Sequence, residues 1–70
     1  MNNELQKALG RNLRRHRESL GLSQEKFAEI LGYHRTYAGA LERGEKNLSL
    51  QSLETLAAAL KLDPRELLRE

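Results

Sequence analysis

The chain contains no cysteine, so neither a disulfide framework nor a thiolate metal site can form. Two histidines, His16 and His34, are too few for a histidine metal centre. Tryptophan and valine are absent, and the aromatic residues are Phe27, Tyr33 and Tyr37 alone. Long apolar stretches are missing too. The longest run is LAAAL at residues 56–60, far short of the roughly 18 residues that span a bilayer. The opening MNNELQKALGR has no signal-peptide core. The cytoplasm is therefore the expected compartment, with no membrane partner. There are no paired carboxylates in an evident cleft and no phosphate-cradling glycine loop. No enzymatic activity, cofactor, metal or small-molecule ligand is expected.

What is present points to helices. Leucine and alanine dominate the apolar set, and no stretch alternates with period two. Seventy residues give one domain, 1–70 with a core at about 5–69; a domain of this size buries only about 60% of its unfolded surface. The net charge is only +2, but its distribution is uneven. Lys7, Arg11, Arg14, Arg15 and Arg17 stand against Glu4 and Glu18 near the amino terminus, whereas Lys61, Arg65 and Arg69 are balanced by Asp63, Glu66 and Glu70. A basic face at one end suits a polyanion; a merely solvated helix face is the alternative.

Five helices can be read. Leu5, Leu9, Leu13 and Leu20 keep helical spacing over about 4–20, and Gly21 sits where a left-handed cap ends a helix. Ser23 can cap a second helix that buries Phe27, Ala28, Ile30 and Leu31. Gly32 and Tyr33 join it to a third, about 34–42. Ser49 caps a fourth, burying Leu53, Leu56, Ala57 and Leu60. The DPRE stretch at 63–66 predicts a short fifth helix, with Asp63 as cap, Pro64 at the first position and Glu66 reaching back.

Residues 24–43 carry the functional signal. Ala28 is small in mid-helix, Gly32 allows a tight bend, and Ala38 and Leu41 face inward from the third helix, the combination that two helices crossing at about 90–120° need. The segments RNLRRHRESLGLSQEKFAEILG, ALERGEKN and LSLQSLETLAAALKLDPRELL resemble the phage repressor and Cro-like (XRE-type) helix-turn-helix family. HRTYAGALERGEKNLSLQSLE is most similar to the small controller proteins of restriction-modification systems.

The resemblance implies an all-α, compact five-helix, lambda-repressor-like DNA-binding domain with the helix-turn-helix at helices two and three. It implies a homodimer on a two-fold operator of double-stranded DNA, with helix three in the major groove and half-sites about one turn, roughly 34 Å, apart. Arg35 and Thr36 would read bases, with Tyr37 beside them and Ala40 one turn on; Tyr37 is balanced between DNA contact and packing. Arginine suits guanine O6 and N7, and threonine offers a hydroxyl or a methyl. Ser23, Gln24, His34, Arg43, Lys46 and Asn47 would contact phosphates, with His34 also standing as the cap of helix three. Arg17 and Glu42 would form an ion pair behind the reading helix. Small residues at Gly39 and Ala40, expected on the outward face, would let the helix lie deep in the groove. Leu62, Leu67 and Leu68 exceed what so small an interior can hide, so at least one is expected in a dimer contact. An antitoxin-type autorepressor and a helical protein-interaction module without DNA are the alternative readings.

Overall fold

A computed structural model describes residues 3–70; residues 1 and 2 of the expected domain lie outside the described residues. The first helix, α1 (Glu4–Ser19), buries Ala8, Leu9, Gly10 and Leu13 along one stripe. Leu5 and Leu20, at its two ends, stay 58% and 51% exposed. The neighbouring elements cover mainly the middle of the helix, so the leucine spacing overstates its buried face.

The second helix, α2 (Gln24–Leu31), starts where the Ser23 side chain accepts from the Lys26 backbone N–H. It buries Phe27 and Ala28, with Leu31 half-buried. Ile30 is 44% exposed, against expectation. A helix of two turns presents one stripe to the interior, and Phe27, Ala28 and Leu31 fill it, leaving Ile30 at its edge.

Helix α3 (Arg35–Glu42) follows, then α4 (Leu50–Leu60), which the Ser49 hydroxyl caps by accepting from Ser52 N–H. The predicted fifth α-helix is instead a 3-10 helix, Pro64–Leu68. The described residues therefore form four α-helices and one 3-10 turn rather than five helices. The start signal is satisfied, since Asp63 accepts from Arg65 N–H at 2.9 Å. Five residues cannot offset the nucleation of an α-helix, and tighter 3-10 bonding is the usual outcome in so short a piece. Glu66 does not reach back; its carboxylate pairs with Arg69 at 3.2 Å.

The core joins Leu9 and Leu13 of α1, Phe27 of α2, Leu41 of α3, Leu53, Leu56 and Ala57 of α4, and Leu67. Helix α1 packs against α3 and the 3-10 helix, while α2 packs against α3 and α4. The α2–α3 pair is thus backed by α1 and α4 and presents its other side to solvent.

Candidate nucleic-acid interface

Three residues turn the chain from α2 into α3. Gly32 takes φ +76°, a left-handed conformation that residues with a Cβ avoid. Its N–H donates to Glu29 C=O, and the next N–H, of Tyr33, donates to Ala28 C=O at 2.9 Å, which fixes where the chain leaves α2. His34 then caps the start of α3: its Nδ1 accepts from Thr36 N–H at 3.1 Å. An imidazole does here what a short hydroxyl or carboxylate side chain does at most helix starts.

The first turn of α3 projects Arg35 and Thr36 into solvent, and neither side chain has an ion pair or side-chain hydrogen bond with another described residue. Ala38 and Leu41 point inward, each 1% exposed. Gly39 and Ala40 are also buried, and this corrects the expectation of an outward small face. A methyl added at Gly39 would lie 3.1 Å from Gln24 Oε1 and 3.2 Å from Arg43 Nη1. Gly39 is therefore small because side chains from α2 and from its own C-terminal end lie across it. Ala40, 6% exposed, lines a shallow depression of about 420 Å³ with Thr36, Tyr37, Arg43 and Lys46. Its methyl belongs to the wall of that hollow and does not project.

Of the remaining residues expected to contact phosphates, His34, Arg43 and Lys46 line that depression, while Ser23, Gln24 and Asn47 are engaged elsewhere. Ser23 is spent as the cap of α2, with its side chain at the surface. Gln24 donates from Nε2 to Glu42 Oε1 at 3.3 Å. Arg43 forms an exposed pair with Glu45 at 3.1 Å. Lys46 holds its ammonium 5.8 Å from the centroid of the Tyr37 ring. Asn47 accepts through Oδ1 from the Gln6 amide, which ties the loop after α3 to the start of α1. His34, Arg43 and Lys46 border one depression with Thr36, Tyr37 and Glu45, so hydrogen-bond donors gather beside the exposed turn, with the Arg43 charge already met by Glu45.

Behind the helix, Arg17 and Glu42 meet in two hydrogen bonds, Nε to Oε2 at 2.8 Å and Nη2 to Oε1 at 3.2 Å. Their side chains are only 15% and 5% exposed. Arg17 also donates through Nη1 to Leu22 C=O at 3.0 Å, so one guanidinium joins α1, the turn before α2 and the end of α3. The hydrogen bond to Glu42 raises the Arg17 pKa above its ordinary value, against the opposing effect of burial.

Of the three leucines among which at least one dimer contact was expected, Leu67 is 2% exposed and belongs to the core; a 3-10 turn folded against α1 and α4 hides it. Leu62 and Leu68 are partly buried. Leu68 lines an apolar groove of about 200 Å³ with Leu5, Leu9, Leu48, Leu50 and Leu53, and Leu50 is 78% exposed. Sequence reasoning gave no role to Asn12, which donates to both Leu67 C=O and Arg69 C=O, at 2.8 and 2.7 Å. Nor did it foresee the edge-to-face contact of Tyr33 with Tyr37, although their spacing of four residues was a usable signal.

A helix-turn-helix family model (HTH_3) matches residues 13–67. The control protein C.SmaI of Serratia marcescens is 45% identical over 65 residues, covering 93% of this chain and 77% of its own. The crystal structure of the restriction-modification controller protein C.AhdI from Aeromonas hydrophila superposes with a TM-score of 0.75 at 45% identity, over 89% of this chain and 90% of that one. The DNA-binding domain of BldD superposes with a TM-score of 0.82 at 32% identity, over 99% of this chain and the whole of that domain.

Proposed function

The chain belongs to the HTH_3 helix-turn-helix family of DNA-binding transcription regulators, and from that premise we propose that it is a dimeric controller that reads a two-fold operator with α3. The observation that carries this reading is the exposed first turn of α3. Arg35 and Thr36 are unengaged there, and the depression that Thr36 lines is bordered by His34, Arg43 and Lys46. Arginine at the tip of a helix that enters the major groove donates bidentately to guanine. Donors on either side grip the sugar–phosphate strands and set the register without reading sequence.

One eight-residue helix contacts too few bases for useful specificity, so a second copy is needed on a second half-site, roughly 34 Å away. The long dimension of the chain is 31 Å, a size compatible with two copies side by side along one face of the duplex. The likeness to C.SmaI and C.AhdI supports control of a restriction-modification system.

Selection of bound sites from a random oligonucleotide pool tests the proposal: a two-fold symmetric consensus is expected, and an asymmetric site bound by a monomer would overturn the dimer. Arg35→Ala should then flatten preference at one base pair, at about 1–3 kcal/mol. Arg43→Ala or Lys46→Ala should weaken binding to every sequence and lower the salt slope by about one unit.

A further inference from the structure

Tyr33 occupies the turn between α2 and α3, where its backbone has little freedom: its N–H is bonded to Ala28 C=O and the residue before it is Gly32 at φ +76°. Its side chain is half-buried and packs against the hydrophobic core, as does the half-buried Tyr37 side chain one helical turn on. From that anchored position its ring meets the Tyr37 ring edge-on, with centroids 4.9 Å apart and planes at 65°. Aromatic pairs favour this arrangement, because the positive edge of one ring faces the negative face of the other. The Tyr37 ring carries the Lys46 ammonium at 5.8 Å as well. Tyr37 lines the depression beside Thr36 and Arg43, whereas Tyr33 does not.

We propose that Tyr33 is a positioning residue: it fixes the Tyr37 ring beside Thr36 on the reading face and so sets base preference at one pair without touching DNA. The inference rests on the reading role proposed for α3. Burial raises the Tyr33 pKa above the ordinary phenol value, with the neighbouring Tyr37 adding to the effect. A loop cation that rests on Tyr37 in the free protein also ties the ring to the phosphate-gripping loop. The ring is held from the core on one side and from that loop on the other.

The test compares Tyr33→Phe, Tyr33→Leu, Tyr37→Leu and the Tyr33→Leu/Tyr37→Leu double variant on the selected site and its single-base variants. Tyr33→Phe keeps the ring and should retain wild-type preference. Tyr33→Leu should lower discrimination by about two- to tenfold, the range an edge-to-face contact supports. The loss should fall at the same base pair that Tyr37→Leu affects, with the salt slope and non-specific affinity unchanged. The double variant should lose no more than Tyr37→Leu alone. Additive losses, or a uniform loss over all sequences, would overturn the proposal. Proton NMR of the free wild-type protein gives a reading that needs no variant to fold: cross-peaks between the two rings and a single Tyr37 χ1 rotamer are expected, and averaged couplings would overturn the positioning. Wild-type protein without any sequence preference would overturn the DNA reading instead, with the ring packing still decided by NMR.

Discussion

Arg17–Glu42 and Arg65–Asp63 are both arginine–carboxylate pairs of good geometry, 2.8 and 2.9 Å long, yet they belong to very different surroundings. The first has side chains 15% and 5% exposed, the second 88% and 44%. The first also takes in Gln24 and the Leu22 carbonyl, joining α1, α2 and α3, whereas the second closes within three residues of one short turn. Matching distances thus describe a shared bond geometry but not a shared role. A buried pair becomes costly when one partner is removed, because the other charge is left without a counter-ion. An exposed pair is screened by water and adds little. Arg65 holds the Asp63 carboxyl below its ordinary pKa, chiefly through their side-chain hydrogen bond and then through its backbone N–H. That contribution to stability is present above the ordinary carboxylate value and fades as pH falls through the lowered one.

The largest expected effect follows directly. Glu42→Ala should destabilise the fold by about 3–5 kcal/mol, a large share of the total for a small domain. Arg65→Ala, which removes the exposed pair and leaves the Asp63 cap in place, should shift the melting temperature only slightly. Thermal and urea unfolding followed by circular dichroism measures both, and equal shifts would erase the distinction between the two regions. Whatever Glu42→Ala protein remains folded should keep its base preference, since Glu42 lies behind the proposed reading face.

Two glycines sharpen the same contrast between backbone and side-chain surroundings. A methyl at Gly10 would lie 2.4 Å from the Glu42 carbonyl oxygen and 2.7 Å from that of Leu41, both backbone atoms at the end of α3. The nearest neighbours of a methyl at Gly39 would be the ends of the Gln24 and Arg43 side chains. Gly10→Ala should therefore destabilise by about 1–3 kcal/mol through overpacking, despite the better helix propensity of alanine. Gly39→Ala should be neutral or slightly stabilising, because flexible side chains can move aside. It should still weaken DNA binding, since the chains displaced are two of the proposed phosphate contacts. Unfolding curves paired with titrations of non-specific DNA separate the two effects.

The helix-turn-helix half was legible because its signals are local. Ser23 caps α2, Gly32 makes the bend, and Ala38 and Leu41 fall on the inward side of α3. The carboxyl-terminal segment was less so, because its structure depends on contacts distant in sequence. DPRE marks a helix start correctly but does not say how far the helix runs. Leu67 looked surplus because the 3-10 turn that buries it was not foreseen. Asn12 sits among polar residues of α1 with nothing in its neighbourhood to mark it, yet its amide satisfies carbonyls 55 and 57 residues away. Asn12→Ala should cost about 1 kcal/mol for the lost hydrogen bonds. Hydrogen exchange should show faster opening confined to the last ten residues; an unchanged pattern would mean that leucine packing alone holds the segment.

The smallest effect concerns how two helices end. Tyr33 N–H closes α2 onto Ala28 C=O, and Leu62 N–H closes α4 onto Ala57 C=O in the same pattern, both at 2.9 Å. In each, the residue before the donor is left-handed: Gly32 at φ +76° in the first, Lys61 at φ +58° in the second. Lysine in that conformation crowds its Cβ against the neighbouring carbonyl, a strain of about 1–2 kcal/mol that glycine lacks. Glycine gives part of this back through the greater freedom of its unfolded chain. Lys61→Gly should therefore stabilise the protein by about 0.5–1 kcal/mol, the balance of those two terms. Lys61 is exposed and makes no ion pair with another described residue, so no lost contact offsets the gain. A rise in the urea midpoint at unchanged slope is the expected result. A fall would mean that the α4 cap is relaxed with lysine in place, and that the two helix ends differ in more than the residue they use.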